Sequence, residues 1–287
     1  MKILCGLLGE KLGHSYSPQI HSSLFEKINL DAYYHLFEVN RNDLSQVVNS
    51  MKVLNICGLN VTIPYKVDIM NFIDEISSEA AKIGAVNTIA LKNGKTIGYN
   101  TDYFGFGAML QKYGVETKNK KVILLGTGGA AKAAYQYFID NDIKEIKIVS
   151  RNNNIQLNEY EDAEIISYSC LESIKDFDII VNCTPVGMYP KVDKSPVDKE
   201  ILLNYKIAVD MIYNPEQTLF LKYANELGLK TVNGLYMLIS QAIKAEELWN
   251  EIEVNYKITN NISEEIKKKL KIMDNLYEKD KKSGEIL

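Results

Sequence analysis

Two stretches of this chain place chemistry-bearing side chains beside signals for the start of a helix. In Asn60-Val-Thr62-Ile-Pro64-Tyr65-Lys66, the proline suits the first position of a helix and sets Lys66 in its first turn. A lysine there opposes the helix dipole at a cost of roughly a few tenths of a kcal/mol, so packing alone would not select it. An amine that exchanges its proton readily is what acid/base chemistry on an alcohol or ketone requires. Without a partner, Lys66 reads equally well as a surface lysine in a poor position. The candidate partner is Asp102, in Asn100-Thr101-Asp102, where a helical pattern to Leu110 begins. Taken alone, Asp102 is a helix cap or a first-turn acid. Its place just before the passage into the second half of the chain would turn its carboxylate toward a cleft between two domains, a usual place for a small-molecule site.

The second stretch is Lys121-Val-Ile-Leu-Leu-Gly126-Thr127-Gly128-Gly129-Ala130-Ala131. Four apolar residues suit a parallel strand covered on both faces, and the alanines suit a helix lying close to it. Between them, Gly126 makes the turn, Gly128 lets a pyrophosphate approach the backbone, and Ala131 lets the helix pack closely. The helix N-terminus then offers N–H groups and partial positive charge to phosphates. A lone glycine fingerprint is as readily a plain turn, but here a strand from Glu145 to Arg151 follows at the distance where such folds read the ribose. That strand ends in Ser150-Arg151 with no acid. A cation at this point pairs with a 2′-phosphate, so NADP is preferred to NAD; set apart from the fingerprint, Arg151 is an ordinary solvated arginine.

A further candidate is the Ser15/Ser17 pair in Gly-His14-Ser15-Tyr16-Ser17-Pro18. Pro18 fits the first helical turn and makes Ser17 a natural N-cap, which leaves Ser15 without a structural task. Two hydroxyls beside a helix N-terminus suit a small carboxylate. His14 and His21 have no third ligand at suitable spacing and read as packing or loop hydrogen-bonders, so no metal site is expected. Met237 and Gln241, four residues apart, share one helix face.

The elements that must position these groups alternate between strand and helix throughout. Strands are expected at Ile3–Leu8, Tyr33–Val39, 56–62, 121–125, 145–151, 165–166, 179–182, 207–213 and 230–234, with a hairpin turn at Lys92-Asn-Gly-Lys95. Helices are expected after Pro18, from Asn42-Asp43 to about Val53, from Asp102, from Gly129, at Thr218–Leu227, around Met237, and from Ile262 until the chain frays at Lys279. The turn Cys183-Thr184-Pro185-Val186-Gly187-Met188 would place backbone at the carboxyl edge of the second sheet. With 287 residues, 46% hydrophobic and 24% charged, the chain has room for two ordinary globular domains. A net charge of −4 and the lack of a long basic run argue against nucleic acid as the main partner. No stretch is long and apolar enough to cross a bilayer and the first residues run straight into a strand, so a cytoplasmic location is expected. Cys5, Cys57, Cys170 and Cys183 lack metal or disulfide spacing and read as small buried hydrophobes.

Assembled in order, these motifs resemble the shikimate dehydrogenase family from about Ile3 to Trp249. The matching pieces are His14-Ser15-x-Ser17-Pro18, Asn60-Val-Thr62-x-Pro64-x-Lys66, Gly84-Ala-Val-Asn87-Thr88, Asn100-Thr101-Asp102, Gly126-x-Gly-Gly-Ala, Asn182-x-Thr184-Pro-x-Gly-Met188, Asp210-Met211-x-Tyr213 and Gly234-x-x-Met237-Leu-x-x-Gln241-Ala. The resemblance implies an α/β protein with an N-terminal substrate domain (1–104, completed by the C-terminal helices 237–287), a Rossmann-like doubly wound NADP domain (105–236) and a cleft between them. It also implies reversible NADPH-linked reduction of 3-dehydroshikimate to shikimate, on the route to chorismate and the aromatic amino acids. Ser15 and Ser17 would hold the substrate carboxylate, and Thr62, Asn87, Asp102, Tyr213 and Gln241 would surround the ring. Lys66 and Asp102 would be the acid/base pair. Gly126, Thr127, Gly128, Gly129, Ala130, Ser150, Arg151, Thr184, Met211 and Gly234 would meet the cofactor, and dimerisation is a family-based expectation.

The sequence departs from the family at the 2′-phosphate clamp, where Ser150-Arg151-Asn152 is followed by Asn153 and Asn154 instead of a second cation. It departs again at His21-Ser22, where the family usually has His-Asn, with little consequence expected. A quinate/shikimate dehydrogenase using NAD fits the same pocket residues. A folate-linked methylene dehydrogenase shares the architecture but gives no reason for the Ser15/Ser17 pair. A non-catalytic shikimate-binding relative would not need both Lys66 and Asp102.

Overall fold

The structure is a computed structural model that describes residues 2–13, 15–151 and 160–283, with side chains to residue 270. It divides into two compact units, Met1–Ala108 with Ile239–Ile262, and Met109–Leu238 with Ser263–Leu287.

The first unit is built on strands β1 (Ile3–Gly9), β2 (Ala32–Glu38), β3 (Gly58–Val61), β4 (Glu75–Ile76), β5 (Thr88–Lys92) and β6 (Lys95–Tyr99), in the spatial order β2-β1-β3-β5-β6-β4. The β1 strand is parallel to both β2 and β3, whereas β3, β5 and β6 run antiparallel to one another in sequence across the sheet. The β5–β6 hairpin turns on Asn93 and Gly94, both at positive φ (51° and 77°), the pairing that a two-residue type I′ turn demands. One face of the sheet carries Leu8, Leu59, Val61 and Ile89 and packs with Leu44, Val48 and Met51 of helix α2 (Leu44–Val53) and Ala80 of α3 (Ser78–Ile83). The other face carries Cys5 and Ala90 and packs with Phe25 of α1 (Ser17–Ile28) and with Ala245 and Trp249 of α7 (Leu235–Asn250).

Gly58 is what lets α7 come down on this second face: a Cβ there would stand 2.1 Å from the Trp249 indole nitrogen. That indole donates to the Ile89 carbonyl at 2.9 Å. On the same face His21, fully buried, meets Glu246 of α7 at 2.5 Å and stacks on Tyr34 with ring centroids 3.9 Å apart. His21 is therefore a core hydrogen-bonder, as its spacing indicates.

The second unit holds β7 (Lys121–Leu125), β8 (Glu145–Ser150), β9 (Glu164–Ser167), β10 (Ile179–Asn182), β11 (Ile207–Asp210) and β12 (Lys230–Val232). All pairings are parallel, in the order β12-β11-β10-β7-β8-β9, so the chain reverses its direction of travel across the sheet between β7 and β10. This is the doubly wound order whose switch point binds dinucleotides. Helix α5 (Gly129–Asp140) follows β7 and α6 (Leu219–Glu226) follows β11. Thr218 caps α6, its hydroxyl accepting the Leu221 N–H. One face of this sheet closes over Ile123, Leu125, Ile180 and Ala208 with Phe220, Leu221 and Ala224 of α6. The final helix, α8 (Tyr256–Ser283), continues past the fray expected at Lys279, and residues 284–287 lie outside the described residues.

Candidate active site

In the first unit the sequence places Lys66 and Asp102 thirty-six positions apart, and the fold joins them: Nζ lies 2.5 Å from the Asp102 Oδ2, with side chains 19% and 13% exposed. The route to this contact corrects the reading of Lys66. No helix starts at Pro64; residues 63–67 form turns, and a short 3-10 helix begins only at Asp68. The Thr62 carbonyl accepts the Tyr65 N–H, and the Tyr65 hydroxyl donates to the Val39 carbonyl at 2.6 Å, which anchors the turn on β2's exit. Lys66 owes its position to that anchored turn and to its carboxylate partner, not to a helix dipole. The Lys66 carbonyl also accepts from Val86 N at 2.8 Å, tying the lysine to the Gly84-Ala-Val-Asn87 segment.

Asp102 stands in the first turn of α4 (Thr101–Lys112). The cap is supplied by Asn100, whose Oδ1 accepts the Tyr103 N–H and whose Nδ2 donates to the Ala85 carbonyl. Capping is thus settled one residue before the helix, and the carboxylate goes to Lys66.

Asn87 is held through its oxygen. Oδ1 accepts the Thr101 N–H at 2.6 Å and lies within 3.2 Å of the Thr88 and Thr101 hydroxyls. The Thr101 hydroxyl also reaches Gln241 Oε1 at 3.4 Å. Lys66, Asp102, Asn87 and Gln241 are therefore brought together, linked through Thr101. Thr62 closes the strand end: its N–H donates to the Leu8 carbonyl, and a Cβ on Gly9 would stand 2.7 Å from its methyl group.

The Ser15/Ser17 pair needs a second correction. Helix α1 begins at Ser17 itself, with Tyr16 at the cap position, so Ser17 is not the N-cap. Ser15 takes up part of that task, its Oγ accepting the Ser17 N–H at 3.2 Å. The Ser17 hydroxyl hydrogen-bonds the Tyr34 phenol, which burial holds well above its ordinary pKa and which donates to Asn60 Oδ1 at 2.8 Å. His14 lies outside the described residues.

The predicted cofactor residues fall in the second unit, at the carboxyl ends of its strands. Gly126 has φ +101°, and a Cβ there would stand 2.9 Å from the Thr184 methyl group. Gly128 caps α5 in extended backbone, and a Cβ there would meet no atom within 4 Å, so the space beside it is open. Gly129 and Ala130 begin α5, whose first N–H groups have no carbonyl within the helix to bond. Thr127 is fixed through its carbonyl, which accepts from the Tyr160 hydroxyl. A turn forced by Gly126, open space at Gly128 and a helix start aimed from the switch point fit a pyrophosphate.

Two residues without a predicted role organise the rest. Asn182 Oδ1 accepts both the N–H and the hydroxyl of Thr184 (3.0 and 2.7 Å), while Nδ2 donates to Asp210 Oδ1 at 3.0 Å. Asp210 accepts in turn from Ile212 N and, at 2.6 Å, from the Thr218 hydroxyl. Burial pushes the Asp210 carboxyl up to about 7, against these three donors. The Met211 N–H donates to the Asn182 carbonyl, and a Cβ on Gly234 would stand 2.0 Å from the Met211 carbonyl oxygen. Gly126, Thr184, Met211 and Gly234 are consequently neighbours along one sheet edge. Both organising residues sit in quoted motifs, and a polar residue ending an apolar strand was the signal available.

Ser150 is buried at the end of β8 and Arg151 is exposed beyond it, close enough to the Tyr168 phenol to act on it electrostatically. Asn152, Asn153 and Asn154 lie outside the described residues. Tyr213 lies in the second unit, after β11. A cavity of about 840 Å³ in that unit, bordered by Tyr113, Tyr189, Glu216, Lys222 and Lys267, contains none of the predicted site residues.

Among the described residues no cluster of three or more His, Cys, Asp or Glu could hold a metal ion, and no helix is long and apolar enough to cross a membrane. Of the cysteines, Cys170 departs from the buried reading: it is exposed, and a hydrogen bond with Ser167 holds its thiol below the ordinary value.

Residues 7–89 match the shikimate dehydrogenase substrate binding domain. The chain is 47% identical over 266 residues to the shikimate dehydrogenase (NADP(+)) of Clostridium perfringens strain SM101, covering 92% of this chain and 98% of that protein. Its fold is similar to that of a chorismate mutase/shikimate 5-dehydrogenase fusion protein from Clostridium acetobutylicum, with a TM-score of 0.90 and 50% identity over 94% of this chain and 99% of the other. It is also similar to the shikimate 5-dehydrogenase of Thermus thermophilus in complex with NADP(H) and shikimate, with a TM-score of 0.83 and 28% identity over 92% and 99% of the two chains. The order of its motifs, its parallel switch-point sheet and this likeness along nearly the whole chain agree: it belongs to the shikimate dehydrogenase family.

Proposed function

We propose that this chain is an NADP-dependent shikimate dehydrogenase in which Lys66 and Asp102 act together as the acid/base group. The observation that carries this reading is the 2.5 Å contact of Lys66 Nζ with Asp102 Oδ2, linked through Thr101 to Asn87 and Gln241. Bound NADP supplies or accepts the hydride. In the direction of ketone reduction, negative charge builds on the carbonyl oxygen, and the Lys66 ammonium stabilises it and delivers the proton. Asp102 holds the ammonium in place and compensates its charge. When shikimate is oxidised the same pair receives the hydroxyl proton.

Ser15 and Ser17, beside the start of α1, hold the substrate carboxylate, while Thr62, Asn87, Tyr213 and Gln241 contact the ring and its hydroxyls. In the second unit, Gly126 to Ala130 receive the pyrophosphate and Arg151 the 2′-phosphate. Thr184, Met211 and Gly234 form the remaining cofactor contacts. A cytoplasmic location and a homodimer accompany the family reading, the latter checked by light scattering.

The test is an absorbance assay at the NADPH band that crosses shikimate and quinate with NADP and NAD. The reading requires turnover of shikimate with NADP. Turnover of quinate with NAD in preference would assign the chain to the quinate branch, and binding of shikimate with no turnover would make it a non-catalytic relative.

A further inference from the structure

The amides of Asn87 and Gln241 are recognition groups in the function proposed above, and an amide is useful for recognition only if its two ends are told apart. Four buried side chains bear on that choice: Asn60, Thr88, Thr101 and Asn87, at relative exposures of 5%, 0%, 0% and 3% respectively.

The direction of the hydrogen bonds follows from the donor inventory. Tyr34 has one hydroxyl proton and gives it to Asn60 Oδ1, which turns Asn60 Nδ2 toward Thr88 Oγ1 at 3.0 Å. Asn60 and Thr88 are direct partners in the antiparallel β3–β5 register, so the strands themselves hold this pair in place. With its oxygen accepting from Asn60, the Thr88 hydroxyl can pass its own proton to Asn87 Oδ1 at 3.1 Å. The Thr101 hydroxyl, 3.0 Å from that of Thr88, has both amide oxygens within reach, Asn87 Oδ1 at 3.2 Å and Gln241 Oε1 at 3.4 Å. The Thr101 backbone N–H completes the set on Asn87 Oδ1. Every donor in this relay points the same way, and it ends on the oxygens of both amides. With its oxygen committed, Asn87 can offer a ligand only its N–H donors.

We propose that Thr88, oriented by Asn60 and acting beside Thr101, is a positioning residue that fixes the Asn87 and Gln241 amides as hydrogen-bond donors, and so selects a ligand presenting oxygen acceptors at that end of the site. This rests on the dehydrogenase reading. Thr88 touches no reacting atom; it acts through Asn87. Removing its hydroxyl strands the Asn60 N–H and takes one of the donors from Asn87 Oδ1, which loosens the amide, whereas a serine keeps the relay.

The test compares Thr88→Val with Thr88→Ser in steady-state assays of shikimate oxidation by NADP. Thr88→Val is expected to raise the KM for shikimate roughly tenfold, the effect of one stranded buried polar group, with kcat and the KM for NADP little changed. Thr88→Ser is expected to restore the wild-type KM. Should Thr88→Val fail to fold, Thr101→Val, which cuts the relay before Gln241, is expected to show the same split between KM and kcat. The proposal is overturned if the shikimate KM stays at the wild-type value, if kcat falls instead of KM rising, or if Thr88→Ser is as impaired as Thr88→Val. Wild-type protein that fails to oxidise shikimate with NADP would remove the underlying functional reading as well; active wild type with unshifted variants would remove only this inference.

Discussion

The two units build their sites from different material. In the first, side chains do the work: Lys66 meets Asp102, and the Asn87 amide is oriented by hydroxyls and a single backbone N–H. In the second, the predicted ligand surface is mostly backbone. Gly126 turns the chain at φ +101°, Gly128 leaves open space, and the polar side chains Asn182 and Asp210 brace loops from behind. A site made of side chains places functional groups finely but loses them one substitution at a time. A site made of backbone is indifferent to most side-chain changes and sensitive wherever a Cβ would intrude.

That contrast can be broken or sharpened by substitution. The largest effect is expected from Lys66→Ala, which removes the proposed proton donor: kcat should fall by about 10²–10⁴-fold, the usual contribution of acid/base catalysis, with a smaller change in shikimate affinity. Unchanged turnover in steady-state assays would take Lys66 out of the mechanism. Next comes Gly126→Ala, which forces an L-residue into positive φ and a Cβ against Thr184. Strain of about 1–3 kcal/mol should appear as weaker NADP binding by calorimetry and a lower melting temperature, with shikimate binding preserved. Equal weakening of both ligands would contradict the division of labour.

Arg151→Ala should raise the KM for NADP roughly tenfold and that for NAD far less, because only the former has a 2′-phosphate to lose. Equal effects on the two cofactors would contradict the phosphate role. A further effect, on stability alone, concerns pH. Burial raises Asp210 from an ordinary carboxylate value to about 7 in the folded state. The unfolded chain therefore ionises first, and the stability contributed by this group is full below about pH 4 and is lost as pH rises to about 7. Thermal melts from pH 4 to 8 should show this decline in wild type and a flatter profile in Asp210→Asn; parallel profiles would show that the group does not titrate in that range.

Much of this arrangement was legible in the sequence because it depends on local chemistry. The Gly126 turn, the Asn93-Gly94 hairpin and the apolar run of β7 each follow from what their residues can adopt. Asp102 is a candidate partner for Lys66 by its place just before the passage into the second half of the chain, and the resemblance to a family's motifs is what makes the two an acid/base pair, since nothing local relates residues so far apart. Local rules misled where two signals competed. Pro64 suggested a helix, but the Tyr65 anchor to Val39 holds the segment in turns, so the dipole argument for Lys66 had no helix to act on. Ser17 carried the signature of an N-cap, yet the helix starts at Ser17 and Ser15 bonds its N–H. The Asn60 to Thr88 link was hidden for another reason: it exists only through the β3–β5 register, which neither strand specifies alone.

The account turns on Lys66 and Asp102 acting as one acid/base group, and a double-mutant cycle in kcat addresses that most directly. If they act as a unit, Lys66→Ala with Asp102→Asn should be scarcely slower than the more damaged single variant, because either change already disables the pair. Losses that multiply across the two substitutions would show two independent contributions and contradict it.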